Sequence, residues 1–238
     1  LISRQQSVHS VATYLRPRIK YESFDIEDLT IDVLEDMVRR NTGKTLADVY
    51  AWHFSPDCST YTTADKGKSG YRFADGAPKD PKAELSDANV TNVISILQHI
   101  SHMHPSQLIT CENPSTGCWH MLPIVQQTLQ LKGWQLSEVD YCAAANPHMD
   151  FAHEWPKKPT HILSYGLPPD AKLPRCGLTC PFRFSEGSGQ SHLHRSAIRV
   201  DQNSAPGQKR VSGYLRAAIP QGLFQILDRA HQAWLCEC

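Results

Sequence analysis

Two short apolar runs that end at polar, proline-containing segments constrain the fold of this chain most strongly. Residues 49–54 read Val-Tyr-Ala-Trp-His-Phe and stop at Ser-Pro-Asp, and residues 108–111 read Leu-Ile-Thr-Cys and stop at Glu-Asn-Pro. Short apolar runs bounded by such breakers are typical of buried strands. The pattern predicts Cys58 on the loop that leaves one strand, and Glu112 at the end of a second.

Helical patterns lie between and after these strands. In the clearest, over 84–104, Ser86 can cap the start and one apolar face carries Val90, Val93, Ile94, Leu97 and Ile100. The other predicted elements are helices over 119–132 and from 213 onward, and strands over 134–142 and 161–163. Strands that alternate with helices predict an α/β fold with a doubly wound, mostly parallel sheet, whose sites lie beyond the carboxyl ends of the strands.

The domain organisation follows from length and from one change in composition. A chain of 238 residues fits one domain of ordinary size. Residues 166–209 lose hydrophobic periodicity and are rich in Gly, Pro, Ser and His. We therefore expect a core over 1–165, an irregular insert over 166–209, and a helical segment over 210–238 that returns to the core. The first residue is Leu rather than Met, which suggests a fragment or a processed chain.

Composition argues against several classes of protein. Apolar residues make up 40% and charged residues 20%, which is typical of a globular chain. The absence of a long apolar run and of a signal-peptide pattern argues against a membrane span. The 24 basic and 24 acidic residues balance, unlike those of most non-specific nucleic-acid binders. Eight irregularly spaced cysteines predict free thiols and an intracellular location, either nucleus or cytoplasm.

A cysteine and a glutamate at the ends of two strands can act together on a pyrimidine ring. C5 of cytosine is a poor nucleophile, but a thiolate that adds at C6 converts the ring to an enamine whose C5 attacks a methyl sulfonium. An acid at N3 offsets the charge that develops, so the reaction needs a Cys and a Glu around a flipped-out base. Cys58 and Glu112 suit these roles. A single cysteine such as Cys58, taken alone, is more often an inert, buried small residue than a nucleophile.

Both motifs resemble those of DNA cytosine-5 methyltransferases. Ser-Pro-Asp-Cys at 55–58 resembles their Pro-Cys nucleophile loop, and Glu-Asn-Pro at 112–114 resembles their Glu-Asn-Val motif. The resemblance implies a Rossmann-like domain that transfers a methyl group from S-adenosylmethionine to C5 of a flipped-out cytosine in DNA. It assigns the site to Cys58 as covalent nucleophile, Glu112 as the N3 partner, Asn113 in shaping the loop, and Lys158 as a basic contact to the target base and its backbone.

The resemblance also assigns cofactor contacts to Ser7, Asp25, Asp32 and Pro56. Residues 21–25 resemble the strand whose terminal acid, Asp25, holds the ribose of S-adenosylmethionine, and Asp32 resembles the acid that contacts the adenine. The best register for the glycine-rich cofactor loop places Arg4 and Gln6 where the family has glycines, which allow close backbone approach.

Departures from the family pattern keep two other hypotheses open. Asp57 replaces the usual proline, and a carboxylate beside Cys58 opposes thiolate formation, while Lys158 replaces an arginine. The first alternative is a catalytically degenerate methyltransferase-fold protein that binds DNA or acts as a scaffold. The second is a thiol hydrolase that pairs Cys58 with a histidine such as His53.

A second group of metal-ligating residues lies in the 166–209 insert. It comprises Cys176, Cys180, His192 and His194. Thiolates and imidazoles together hold tetrahedral zinc, so the group is a candidate zinc site that staples the insert. Cys-x3-Cys spacing is less specific than paired Cys-x2-Cys, and loop histidines beside unpaired thiols are the alternative that needs no metal.

Overall fold

The structure is a computed structural model that describes residues 26–61, 70–145, 157–177, 180, 182, 196–197, 209–210 and 219–237. Its centre is a sheet of four strands in the order β1-β2-β4-β3. The strands are β1 (Ala51–Phe54), β2 (Leu108–Pro114), β3 (Trp134–Asp140) and β4 (Pro159–Tyr165). With helices packed against this sheet, the α/β class expected from the sequence is confirmed.

The pairing within the sheet differs from the expectation of a mostly parallel sheet. β1 pairs parallel with β2, whereas β4 runs antiparallel to both of its neighbours, β2 and β3. The mostly parallel prediction is therefore wrong for these four strands. The reason is that β4 returns between β2 and β3, and sequence periodicity carries no information on strand order. As a result, the carboxyl ends of β1, β2 and β3 and the amino end of β4 lie at one edge, here called the site edge.

Helices cover both faces of the sheet, and the first six residues of β2 are accordingly all buried. The described helices are α1 (Ile31–Thr42), α2 (Pro81–Met103), α3 (Pro123–Thr128), α4 (Tyr141–Ala144) and α5 (Gln221–Glu237). On one face, Ile109 belongs to a core that includes the five aliphatic residues predicted along α2, all of them buried. On the other face, Leu108 packs in a second core with Leu223 and Leu227 of α5.

The start of α2 corrects one sequence prediction. The helix begins at Pro81, and Oδ1 of Asp80 accepts a 2.8 Å hydrogen bond from the backbone N–H of Lys82. Proline suits the first helical position because its missing N–H has no partner there in any case. Ser86 therefore lies inside the helix, where its hydroxyl donates to the carbonyl of Lys82 instead of capping the start.

Two further short strands lie in the 166–209 insert and at its end. β5 (Ser196–Ala197) and β6 (Lys209–Arg210) pair parallel with one another. Among the residues that the structure describes, no helix combines the length and the apolar character that crossing a membrane requires.

Candidate functional site

The four residues predicted to act in catalysis all lie at the site edge. Cys58 lies on the loop that follows β1, and Glu112 and Asn113 lie within β2. β2 runs three residues further than the sequence predicted, because Glu112 pairs with Ile162 of β4 and the pairing continues to Pro114. Lys158 immediately precedes β4, whose reversed direction brings it to this same edge.

The Glu112 carboxylate is buried and is held by two hydroxyl groups. Its side chain is 3% exposed. Ser55 donates a 2.5 Å hydrogen bond to Oε1, and Tyr141 donates one of 2.5 Å to Oε2. Burial by itself would raise the pKa of Glu112, but the Lys158 ammonium and these two hydrogen bonds outweigh it and hold the pKa below the ordinary value. Glu112 is therefore an anion at neutral pH.

Tyr141 connects the acid to the buried lysine. Lys158 is 8% exposed, and its Nζ lies 4.6 Å from the centroid of the Tyr141 ring, within cation–π range. Burial and the nearby Glu112 anion raise the pKa of the Tyr141 hydroxyl well above its ordinary value. The hydroxyl thus stays protonated and acts as a donor to Glu112.

The Cys58 thiol is half-buried and is a thiol rather than a thiolate at neutral pH. Burial raises its pKa above the ordinary value of 9.0, and Glu112 and Asp57 add to the rise, while Lys158 opposes it. The effect of Asp57 ranks below those of burial, Lys158 and Glu112. The Asp57 carboxylate turns back on its own loop, where it accepts from the backbone N–H and the hydroxyl of Ser59 at 2.9 and 2.8 Å.

Asn113 joins β2 to the loop that carries Cys58. Its Nδ2 donates a 3.3 Å hydrogen bond to the carbonyl of Pro56, and both residues are buried. Oδ1 of Asn113 is also buried and has no hydrogen-bond partner among the described residues. An unpaired buried acceptor is costly, which makes this oxygen a candidate acceptor for a donor on a bound molecule.

The far end of the same loop is fixed by an ion pair. Arg72 pairs with Asp87 of α2 at 2.5 Å, and its guanidinium lies 4.2 Å from the centroid of the Tyr61 ring. The Tyr61 hydroxyl donates a 2.8 Å hydrogen bond to Asp87. Gly117, after β2, packs so closely that a Cβ there would come within 2.9 Å of the Tyr61 carbonyl oxygen. The 55–61 loop is thus held on both sides.

The His53 ring forms its hydrogen bond with Thr110 rather than with Cys58. The Thr110 hydroxyl donates to the carbonyl of Trp52 at 3.0 Å, so its oxygen accepts from Nδ1–H of His53 at 2.8 Å. Nε2 of His53 is buried without a hydrogen-bond partner among the described residues. Burial lowers the pKa of His53 to about 4. The thiol hydrolase hypothesis requires a histidine that hydrogen-bonds Cys58. Among the described residues, His53 makes no such bond.

The structure describes two of the four residues assigned to the cofactor. Asp32 is exposed in the first turn of α1, whose start is capped by the Thr30 side chain, and Pro56 is buried next to Asn113. Ser7 and Asp25 lie outside the described residues.

The candidate metal residues gain a member that the sequence had not grouped with them. The sulfur atoms of Cys142, Cys176 and Cys180 all lie within 4.8 Å of one another. Cys142 follows Tyr141 in α4 and is buried, whereas the other two cysteines are half-buried. His192 and His194 lie outside the described residues.

Sequence reasoning missed several residues of this site. Tyr141 and Cys142 were assigned to the end of a strand, and nothing local marks them as neighbours of Glu112 or of Cys176. Ser55 could have been found, because a hydroxyl one residue after a strand faces the same edge as the acid at the end of the parallel neighbour.

No model of a known protein family matches the chain. A search of curated proteins finds no match either.

Proposed function

We propose that this chain is a DNA cytosine-5 methyltransferase core in which Cys58 is the nucleophile and Glu112 handles the proton at N3. The observation that carries the proposal is the hydrogen bond from Ser55 to Glu112. It joins the loop of the predicted nucleophile to the predicted acid across two parallel strands. The sequence predicts both motifs for this reaction, and the position of Cys58 and Glu112 at one edge of the sheet supports it.

The first step forms a bond between Cys58 and the base. The Cys58 sulfur bonds to C6 of a flipped-out cytosine, the C5–C6 electron pair moves to C4–C5, and the C4–N3 pair ends on N3. The thiol gives up one proton and N3 takes up one. Glu112, an anion before this step, accepts the proton that the thiol gives up and passes it to N3. When S-adenosylmethionine is bound, its sulfonium supplies the methyl group that C5 takes. The C5 proton then leaves to solvent, the thiolate departs from C6, and N3 returns its proton through Glu112 to the thiolate, which restores both the ring and the free thiol.

Lys158 and Tyr141 influence the charge of Glu112 and Cys58 and the orientation of the Glu112 carboxylate. The Lys158 ammonium lowers the pKa of both Glu112 and Cys58, so it favours the anion at each position. Tyr141 holds Oε2 of Glu112 and stacks under the ammonium. These contacts orient one oxygen of the carboxylate and support a thiolate that burial disfavours.

For the methyl donor, contacts that suit a bound group are present beside the 55–58 loop. The orphan Oδ1 of Asn113 beside Pro56 suits a ligand with an N–H donor, which both cytosine and S-adenosylmethionine carry. Asp32 is exposed and accessible to a ligand.

The proposal is tested by transfer of a labelled methyl group to DNA. We expect transfer by the parent chain and by Cys236→Ser, which replaces an exposed cysteine of α5. Cys58→Ser and Glu112→Gln should each reduce the rate at least about 100-fold, because each removes a group that reacts or carries a proton. Equal rates for Cys58→Ser and Cys236→Ser would overturn the assignment of Cys58.

The raised pKa of Cys58 favours one alternative, a degenerate protein of the same fold that binds DNA without catalysis. Arg4 and Gln6 point the same way, since they replace the glycines of the cofactor loop. Calorimetric titration with S-adenosylmethionine separates the two. Heat of binding at one site supports the enzyme, whereas DNA binding without cofactor binding supports the degenerate protein.

A further inference from the structure

Three cysteines from two distant segments of the chain meet beside the candidate active site. Cys142 lies in α4, and Cys176 and Cys180 lie in the segment that follows β4. Their sulfur atoms are all within 4.8 Å of one another. None of the cysteines in the described part of the chain forms a disulfide. A disulfide would join only two of these three sulfurs and leave the third unbonded. A metal ion can bind all three.

The spacing of the sulfurs suits a tetrahedral thiolate site. With zinc–sulfur bonds of about 2.3 Å, tetrahedral geometry places the sulfurs roughly 3.8 Å apart. The sulfurs all lie within 4.8 Å of one another, so no separation exceeds the tetrahedral value by more than about 1 Å. Soft thiolate ligands favour zinc over the hard cations magnesium and calcium.

Contacts outside the sulfurs hold the two segments in place. Oδ2 of Asp140, the residue two before Cys142, accepts from the backbone N–H of Cys176 at 2.9 Å and from Nε of Arg175 at 3.0 Å. The backbone N–H of Cys180 donates to the carbonyl of Gly177 at 3.2 Å. The ligands are therefore brought together by interactions that do not involve a metal, as a preformed site requires.

We propose that Cys142, Cys176 and Cys180 bind one zinc ion as thiolates. The three thiols release their protons to solvent as the ion binds. A tetrahedral structural site takes a fourth ligand beside these three thiolates. The ion fastens the start of the 166–209 insert to α4, whose first residue is Tyr141. This role is structural and does not depend on methyl transfer.

The test is metal content and coordination of the full chain, purified under argon with a phosphine reductant. Elemental analysis should find about one zinc per chain in the parent and in Cys236→Ser. X-ray absorption at the zinc edge should find three sulfur atoms at about 2.3 Å. This measurement uses the parent chain alone, so it decides the proposal even if a variant fails to fold.

Single cysteine variants then show which sulfurs bind the metal. Cys142→Ser, Cys176→Ser and Cys180→Ser should each lose zinc to a chelator that leaves the metal in Cys236→Ser, and each should weaken the charge-transfer absorption of the cobalt-substituted protein. A parent chain that holds no zinc after growth with zinc and direct addition would overturn the proposal. So would a zinc site with fewer than three sulfurs, or a disulfide between any two of these cysteines under reducing conditions.

Discussion

The Tyr141 hydroxyl donates a 2.5 Å hydrogen bond to Oε2 of Glu112, and both side chains are buried. A carboxylate enclosed in this way depends on its donors, because burial opposes the charged form. Ser55 supplies the second hydroxyl, to Oε1. Two residues that are distant in sequence therefore keep Glu112 ionised: Ser55, on the loop after β1, and Tyr141, in α4.

Tyr141→Phe tests the Tyr141 hydroxyl while keeping the ring under Lys158. A hydrogen bond to a charged group contributes about 1.5–3 kcal/mol, so we expect a methyl-transfer rate roughly 10–100-fold lower. The pKa of Glu112, followed by carbon NMR of the labelled carboxyl, should rise because a donor to the anion is lost. Tyr71→Phe, outside this hydrogen-bond set, is the control. An unchanged pKa of Glu112 in Tyr141→Phe would contradict the role assigned to Tyr141.

Lys158→Met tests electrostatic support of the Cys58 thiolate. Because the ammonium lowers the pKa of Cys58, its removal should shift the midpoint of thiol alkylation to higher pH. The rate at Cys58 can be followed by peptide mass spectrometry after timed treatment with iodoacetamide. Lys157→Met is a matched control, since Lys157 is the exposed neighbour. If both variants shift the midpoint equally, Lys158 has no special effect on Cys58.

The lowered pKa of His53 predicts that the folded protein loses stability on mild acidification. Its pKa is 6.5 in the unfolded chain and about 4 when folded, so only the unfolded chain takes up the proton between these values. The contribution is complete above pH 6.5 and is lost as the pH falls toward 4, by about 3 kcal/mol in total. Urea unfolding of the parent and of His53→Asn, which keeps a donor toward Thr110, should differ in pH dependence over this range. Parallel curves would show that His53 does not stay neutral in the folded protein.

The ion pair between Arg72 and Asp87 should stabilise the 55–61 loop. The Arg72 side chain is 6% exposed, and removal of one partner from a buried pair typically costs about 3–5 kcal/mol. We expect Arg72→Met to lose stability in this range and to become sensitive to proteolysis between 55 and 61. Tyr61→Phe removes only the hydrogen bond to the Asp87 carboxylate and should cost less, about 1.5–3 kcal/mol. Equal, small effects of both variants would show that the ion pair does not fix the loop.

Local patterns predicted part of this molecule from sequence. The strands before Cys58 and at Leu108, and the apolar face of α2, follow from short-range periodicity and are present in the structure. The helical pattern places the start of α2 at residue 84 rather than at Pro81, because the apolar periodicity that marks the helix begins later than its cap, Asp80. Strand order was not predictable, since the insertion of β4 between β2 and β3 depends on long-range pairing.

The same distinction applies to the site. Cys58 and Glu112 could be proposed because each follows or ends an apolar run, and parallel strands share an edge. Tyr141 and Cys142 could not, because they reach Glu112 and Cys176 only through the reversal of β4 and the path of the chain after it.

Covalent trapping on DNA that contains 5-fluorocytosine tests the central claim most directly. Fluorine replaces the C5 hydrogen that must leave as a proton, so the bond between enzyme and base persists after methyl transfer. With S-adenosylmethionine present, we predict a denaturation-resistant adduct that peptide mapping places on Cys58, formed equally by Cys236→Ser and absent from Cys58→Ala. An adduct that Cys58→Ala forms as well as the parent chain, or one mapped to a different cysteine, would contradict the account.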